Sequence, residues 1–210
     1  MDKHIVITIG RQFGSGGREI GYLVAKKLGI KCYDKELLNE AAKESGLCEK
    51  IFEVHDEKPT RSFLYSLVMD TYAMGYAPTG HVDMPIGQKL FLAQFDTIKN
   101  IAERESCVIV GRCADYALEN NPDLISLFIH GDMDTRIKRI MEKRNISKPD
   151  DAKDLIIKTD KQRASYYNSY ANKKWGDAKT YNMSIDSGLL GVEGTADLIV
   201  ELINKKINDK

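Results

Sequence analysis

At 210 residues the chain is long for one compact domain and short for two, so a single domain spanning 1–210 and carrying an insertion is expected. Hydrophobic residues make up 42% and charged residues 30%, which excludes a disordered chain. Its 31 basic and 31 acidic side chains balance to zero, which excludes a global positive field for nucleic acid or an anionic membrane and leaves anion recognition to local arginines.

In chain order, His4 to Ile9 is a β-branched run that ends at Gly10 and reads as a first strand. The segment Arg11-Gln12-Phe13-Gly14-Ser15-Gly16-Gly17 follows as a glycine-rich turn, and the apolar spacing of Ile20, Leu23, Val24 and Leu28 predicts a helix that stops at Gly29. Ile30 to Tyr33 reads as a second strand. Asp34 is placed to cap a helix over Lys35 to Glu44. Between about Asp56 and Glu103 the alternation breaks into two expected helices, Arg61 to Met74 and Gly87 to Glu103, joined by a loop with Pro78, Gly80, Pro85 and Gly87. Alternation resumes with a strand at Cys107 to Val110, a helix near Ala114 to Glu119 and a strand at Leu124 to Ile129. A basic helix over Asp134 to Lys143, a long polar helix over Asp151 to Asn172, a strand at Thr180 to Ile185 and a helix at Gly194 to Ile207 complete the chain. Strand and helix alternation of this kind predicts a parallel sheet covered on both faces.

Cys32, Cys48, Cys107 and Cys113 have no C-x-x-C spacing, and His4, His55, His81 and His130 are scattered, so neither a zinc site nor a disulfide framework is indicated. No signal-peptide zones and no membrane-spanning apolar stretch are found, and a cytoplasmic protein with reduced thiols is expected. The sequence names no metal ligand and no oligomeric state.

The glycine turn between the first strand and helix is the strongest chemical signal. Backbone N–H groups of Gly14, Ser15, Gly16 and Gly17 can converge on phosphate oxygens, and the helix N-terminus adds about half a positive charge. The pattern G-x-x-x-x-G-K-[ST] adds a lysine for the phosphates and a hydroxyl for magnesium, and this sequence has neither at the expected place. In one register Gly17 falls on the lysine and Arg18 on the hydroxyl; in another Arg18 replaces the lysine and Glu19 the hydroxyl. The second keeps a cation at the phosphates and is preferred, although Glu19 also suits a helix N-terminus as a favourable charge.

Arg112 closes the third strand, at the edge where open α/β sheets bind ligands. Arg136 and Arg139 share a helix face within a basic segment that also holds Lys138, Lys143 and Arg144, and Asp160 and Arg163 stand three residues apart, the spacing of an intrahelical ion pair. Tyr166, Tyr167, Tyr170 and Trp175 have spacings that suit core or interface packing better than base stacking.

Ile7 to Ile20, Tyr33 to Leu38 and Cys107 to Asp115 together carry a resemblance: the chain resembles the cytidylate kinase-like proteins, relatives of bacterial cytidylate kinase among the P-loop nucleoside monophosphate kinases. The resemblance implies a P-loop NTPase-type three-layer α/β/α fold with a five-stranded parallel sheet and a helical insertion and lid. It implies phosphate binding at Gly14 to Arg18, an acceptor-phosphate arginine at Arg112, a lid across residues 132–175 that brings Arg136 and Arg139, and acceptor contacts from Asp160 and Arg163. It also implies ATP and Mg2+, a small phosphorylated acceptor, and an acceptor-binding side formed by residues 56–103. The leading expectation is phosphoryl transfer from ATP to CMP or dCMP. Two others stand beside it: a nucleotide-binding protein with little turnover, and a kinase for another small metabolite in which Asp34 or Asp115 deprotonates a hydroxyl.

Overall fold

The structure, a computed structural model, describes residues 4–34 and 86–208. Five strands form one sheet: β1 (Val6–Arg11), β2 (Lys31–Tyr33), β3 (Cys107–Val110), β4 (Leu124–His130) and β5 (Met183–Asp186). They lie in the order β2-β3-β1-β4-β5, and every pairing is parallel. The helices are α1 (Gly17–Leu28), α2 (Ile86–Arg104), α3 (Ala114–Ala117), α4 (Met133–Arg144), α5 (Pro149–Tyr170) and α6 (Ser187–Asn208). The expected helices over Lys35 to Glu44 and Arg61 to Met74 lie outside the described residues.

Compact packing divides the chain into two units, residues 1–35 with 98–210, and residues 36–97. In the second, the described part is the beginning of α2, where the Phe91 and Phe95 rings lie 5.7 Å apart and the Thr97 hydroxyl donates to the Ala93 carbonyl at 2.8 Å.

The first unit contains the sheet. Because β1, β3 and β4 are interior strands, their Val, Ile and Leu side chains are buried on both faces, as continuous apolar runs in a parallel sheet require. Ile7 and Ile9 of β1 and Leu127 and Ile129 of β4 meet Ile20 and Val24 of α1 and Ile199 and Ile203 of α6 in the main core. A smaller cluster joins Ile140 of α4 to Ala152 and Ile156 of α5, and Phe13 of the glycine turn packs against it. The helix pair α4–α5 is thereby seated on the turn.

Element ends follow local chemistry. Gly29 ends α1 at φ 69°, and its N–H reaches the Ala25 and Lys26 carbonyls. Asp132 starts α4 by accepting from the Thr135 N–H at 2.9 Å, and Asn145 ends it at φ 52°. Among the boundaries that differ from expectation, two have a visible cause. β1 runs on through Gly10 and Arg11, because these residues pair with Phe128 and Ile129 of β4. β5 starts later than Thr180, which falls in a 3-10 turn over Ala178–Thr180; the Asn182 side chain accepts instead from the Ser126 N–H at 2.8 Å. The span α6 joins two helices across Gly191 (φ 66°, ψ −173°), a non-helical conformation open to glycine, and the second of them is the helix expected over Gly194 to Ile207.

Cys32, Cys107 and Cys113 are free and buried, and burial pushes each thiol up to about 12, so they are inert packing residues. No described helix is long and apolar enough to cross a membrane.

Candidate phosphate-binding site

The site lies where β1 and β3 end. In this strand order the connections from β1 and β3 leave toward opposite sides of the sheet, which opens a crevice at their C-terminal ends. The glycine turn spans it. Gly14 (φ 83°) and Gly16 (φ 78°) supply the left-handed backbone, and Gly16, lacking a side chain, leaves the first-turn amides of α1 without a side-chain cap.

The turn is held from below by several bonds. The Ser15 hydroxyl donates to the Gln12 carbonyl at 2.9 Å, the Gly131 N–H donates to Gln12 Oε1 at 3.2 Å, and the Ser187 hydroxyl donates to the Ser15 carbonyl at 2.6 Å. Asp160 of α5 accepts from the Phe13 N–H at 2.7 Å through Oδ1 and from Arg136 Nη1 at 2.6 Å through Oδ2. Arg136 also donates to the Phe13 carbonyl at 3.3 Å and is itself buried. Arg136 and Asp160, expected as a lid cation and an acceptor contact, thus pair with each other across two helices and brace the turn. The intrahelical pairing expected between Asp160 and Arg163 gives way to this one, because both Asp160 oxygens are taken.

The second arginine station is strained. Gly111, Arg112 and Cys113 are successive left-handed residues at φ 83°, 60° and 54°. For the two that are not glycine this costs about 1–2 kcal/mol each. The turn sends Arg112 toward α5, where its guanidinium lies 5.9 Å from the centroid of the Tyr166 ring. Arg163 donates to the Arg11 carbonyl at 3.1 Å and lies 5.5 Å from the Phe13 ring centroid.

The arginines separate into two groups. Arg18 pairs with the buried Asp34, which also accepts from the Tyr22 hydroxyl at 2.7 Å, so the preferred replacement for the missing lysine is engaged at the end of β2. Arg136 has Asp160. Arg11, Arg112, Arg139 and Arg163 have no carboxylate partner among the described residues. Arg139 Nη1 is buried, makes no hydrogen bond, and lies where a β-carbon on Gly16 would be. Burial, followed by the charges of Arg163 and Arg112, pushes the Arg11 guanidinium below its ordinary value, and burial does the same to Arg163. A crevice of half-buried like charges is costly unless an anion enters it.

Arg11 and Ser187 escaped the sequence reading. Gly10 looked like the end of the strand, which put Arg11 in a loop; the usable signal was that Gly10-Arg11 repeats Gly111-Arg112 at a second strand end. Asp115 lies apart from the turn's bonds: it is buried, its carboxyl is pushed up by burial, and it accepts from the Tyr167 hydroxyl at 2.6 Å. The aromatic cluster packs, with Tyr166 and Tyr170 rings 5.0 Å apart and Trp175 edge-on to Phe128 at 5.3 Å. Glu19 pairs with Lys143 of α4.

This sheet and turn define an α/β protein of the P-loop kinase fold. The fold is shared with shikimate kinase from Acinetobacter baumannii (13% identity, TM-score 0.53, covering 98% of this chain and 96% of that one). The chain belongs to the cytidylate kinase-like family, whose model matches residues 6–189. A solved, uncharacterized protein of Eubacterium ventriosum is 34% identical, with TM-score 0.71 over 96% of this chain and 99% of that one. A cytidylate kinase of Sulfolobus acidocaldarius is 27% identical over 124 residues, spanning 59% of this chain and 65% of that protein.

The family implies a nucleotide substrate and a divalent metal. The described residues contain no group of three His, Cys, Asp or Glu side chains able to share an ion, and the first turn of α1 has no hydroxyl. Magnesium carried by a nucleotide is held largely by phosphate oxygens and water, with one or two protein oxygens.

Proposed function

We propose that the protein transfers the γ-phosphoryl group of ATP to a nucleoside monophosphate, with CMP or dCMP as the acceptor, and does so in the cytoplasm. The observation that carries this reading is the set of four arginines without carboxylate partners among the described residues, gathered around a glycine turn at the sheet's ligand-binding edge. The family and the Sulfolobus relative support the choice of acceptor.

In this reading the turn amides and Arg139 hold the donor phosphates, and Arg112 and Arg163 orient the acceptor phosphate. An oxygen of that phosphate attacks the γ-phosphorus, the bond from it to the β–γ bridging oxygen breaks, and ADP leaves as the nucleoside diphosphate forms. The attacking oxygen is already anionic, so no general base is needed. Residues 132–175, which bring Arg139 over the turn, take the part of the lid, and residues 56–103 take the acceptor side.

A second reading, transfer to a hydroxyl, is favoured by one feature: Asp34 is a buried carboxylate at the end of β2. An ADP-release assay with magnesium-ATP and CMP, dCMP, UMP, AMP, GMP, shikimate or no acceptor separates the two. Release stimulated by a pyrimidine monophosphate supports the first reading. Stimulation only by a hydroxyl acceptor supports the second, and no acceptor-dependent release contradicts both.

A further inference from the structure

Position 17 is where the P-loop pattern places its lysine when Gly16 is matched to the second glycine, because Gly16 caps α1 and Gly17 is its first residue. In that register the first glycine of the pattern falls on Arg11. The chain therefore has a cation where the pattern has glycine, and glycine where the pattern has its cation. We infer that this is a reciprocal exchange: the Arg11 guanidinium is the phosphate-binding cation of the turn, standing in for the lysine that Gly17 cannot supply. The inference rests on the nucleotide-phosphate reading of the site and assigns one residue within it.

Three observations carry it. Arg11 lies on the face of β1 that holds Ile7 and Ile9, the face covered by α1, so its side chain leaves the sheet beneath the first turn of that helix. A β-carbon added to Gly17 would come within 2.5 Å of Arg11 Cβ and 3.1 Å of its Cγ, so the two side chains compete for one volume. From there Arg11 extends to the end of β3, where Nη1 occupies the place of a β-carbon on Gly111. One side chain thus accounts for two glycines, one at each end of its path.

The Arg11 guanidinium has no hydrogen bond or ion pair among the described residues; the nearby cations Arg163 and Arg112 repel it, and Asp34, which pairs with Arg18, attracts it only at longer range. A structural arginine in such a place would have a carboxylate, as Arg136 has in Asp160. A guanidinium brings a planar fork of donors, which suits two phosphate oxygens at once and differs from the point charge of lysine.

The test is calorimetric titration of the full-length protein with ATP and with inorganic tripolyphosphate, for wild type, Arg11→Lys, Arg11→Gln, Arg11→Gly and the double exchange Arg11→Gly with Gly17→Lys. Circular dichroism and thermal melting establish that each is folded. Arg11→Gln is expected to weaken both ligands by about 10- to 100-fold, with Arg11→Lys intermediate. The double exchange is expected to bind at least about 10-fold tighter than Arg11→Gly alone, since it restores the pattern's own arrangement.

A folded Arg11→Gln that binds as tightly as wild type overturns the inference while the phosphate reading stands. If the glutamine variant does not fold, the double exchange decides: recovery over Arg11→Gly supports the inference and no recovery overturns it. Wild-type protein that binds neither ATP nor tripolyphosphate overturns the phosphate reading, and this assignment with it.

Discussion

Asp160 binds both the Phe13 amide and the Arg136 guanidinium, and this one carboxylate explains why a basic helix sits over a glycine turn. Both side chains of the pair are largely buried, so removing one partner leaves a charge without compensation. Asp160→Ala is expected to destabilise the fold by about 3 kcal/mol in urea unfolding, and adding Arg136→Met is expected to recover most of that loss. A double variant destabilised by the sum of the Asp160→Ala and Arg136→Met losses would show that the pair is not coupled. The Arg136 to Arg144 segment was legible as a concentration of charge, but spacing alone could not say that Arg136 meets a carboxylate from α5 while Arg139 meets none among the described residues. That distinction depends on how two helices cross.

Asp115 is a different kind of buried acid. Burial raises its carboxyl above the ordinary 3.8 despite the Tyr167 hydroxyl, so the folded state holds its proton more readily than the unfolded state does. Between the two pKa values the folded protein binds more protons, and stability falls as pH rises through that window; above the folded pKa the loss is complete. Asp115→Asn, which can still accept from Tyr167, is expected to flatten this fall and to raise stability at neutral pH. Urea midpoints measured from about pH 4 to pH 8 would test the sign, and a variant less stable than wild type at the upper end would contradict it.

At the scale of elements, the turn from β3 to α3 joins strain to function. Arg112 holds a left-handed backbone that costs about 1–2 kcal/mol and that glycine would adopt freely. Arg112→Gly is therefore expected to leave the protein as stable as before or more stable by about 1 kcal/mol, while phosphoryl transfer falls by about 100-fold or more. A parallel loss of both would assign Arg112 to structure alone. The elements themselves were largely readable: β3 was found at the expected residues, and α1 ends at Gly29 as its apolar spacing and glycine implied. The errors fell at ends that tertiary pairing decides. β1 outlasts Gly10 because β4 offers partners to Gly10 and Arg11, and β5 starts after Thr180 because that residue is taken into a 3-10 turn. The first of these hid Arg11, since a residue read as loop gives no direction for its side chain.

For the molecule as a whole, alternating strands and helices foretold a parallel sheet, and the motifs at Gly14 to Arg18 and Gly111-Arg112 foretold the family. The strand order β2-β3-β1-β4-β5 was not in the pattern of any one segment, yet it is what brings the ends of β1 and β3 side by side. In a chain with no net charge the arginines are distinguished by local placement: among the described residues acidic partners are given to Arg18 and Arg136 and none to Arg11, Arg112, Arg139 and Arg163. The most direct test of that account is transfer of a labelled γ-phosphoryl group from magnesium-ATP to CMP, measured for wild type and for Arg163→Gln with melting temperature as the control. Labelled CDP is expected from the wild type, and at least about 10-fold less from a variant that melts like it. Unlabelled nucleotide products from the wild type, or equal transfer by both proteins, would contradict it.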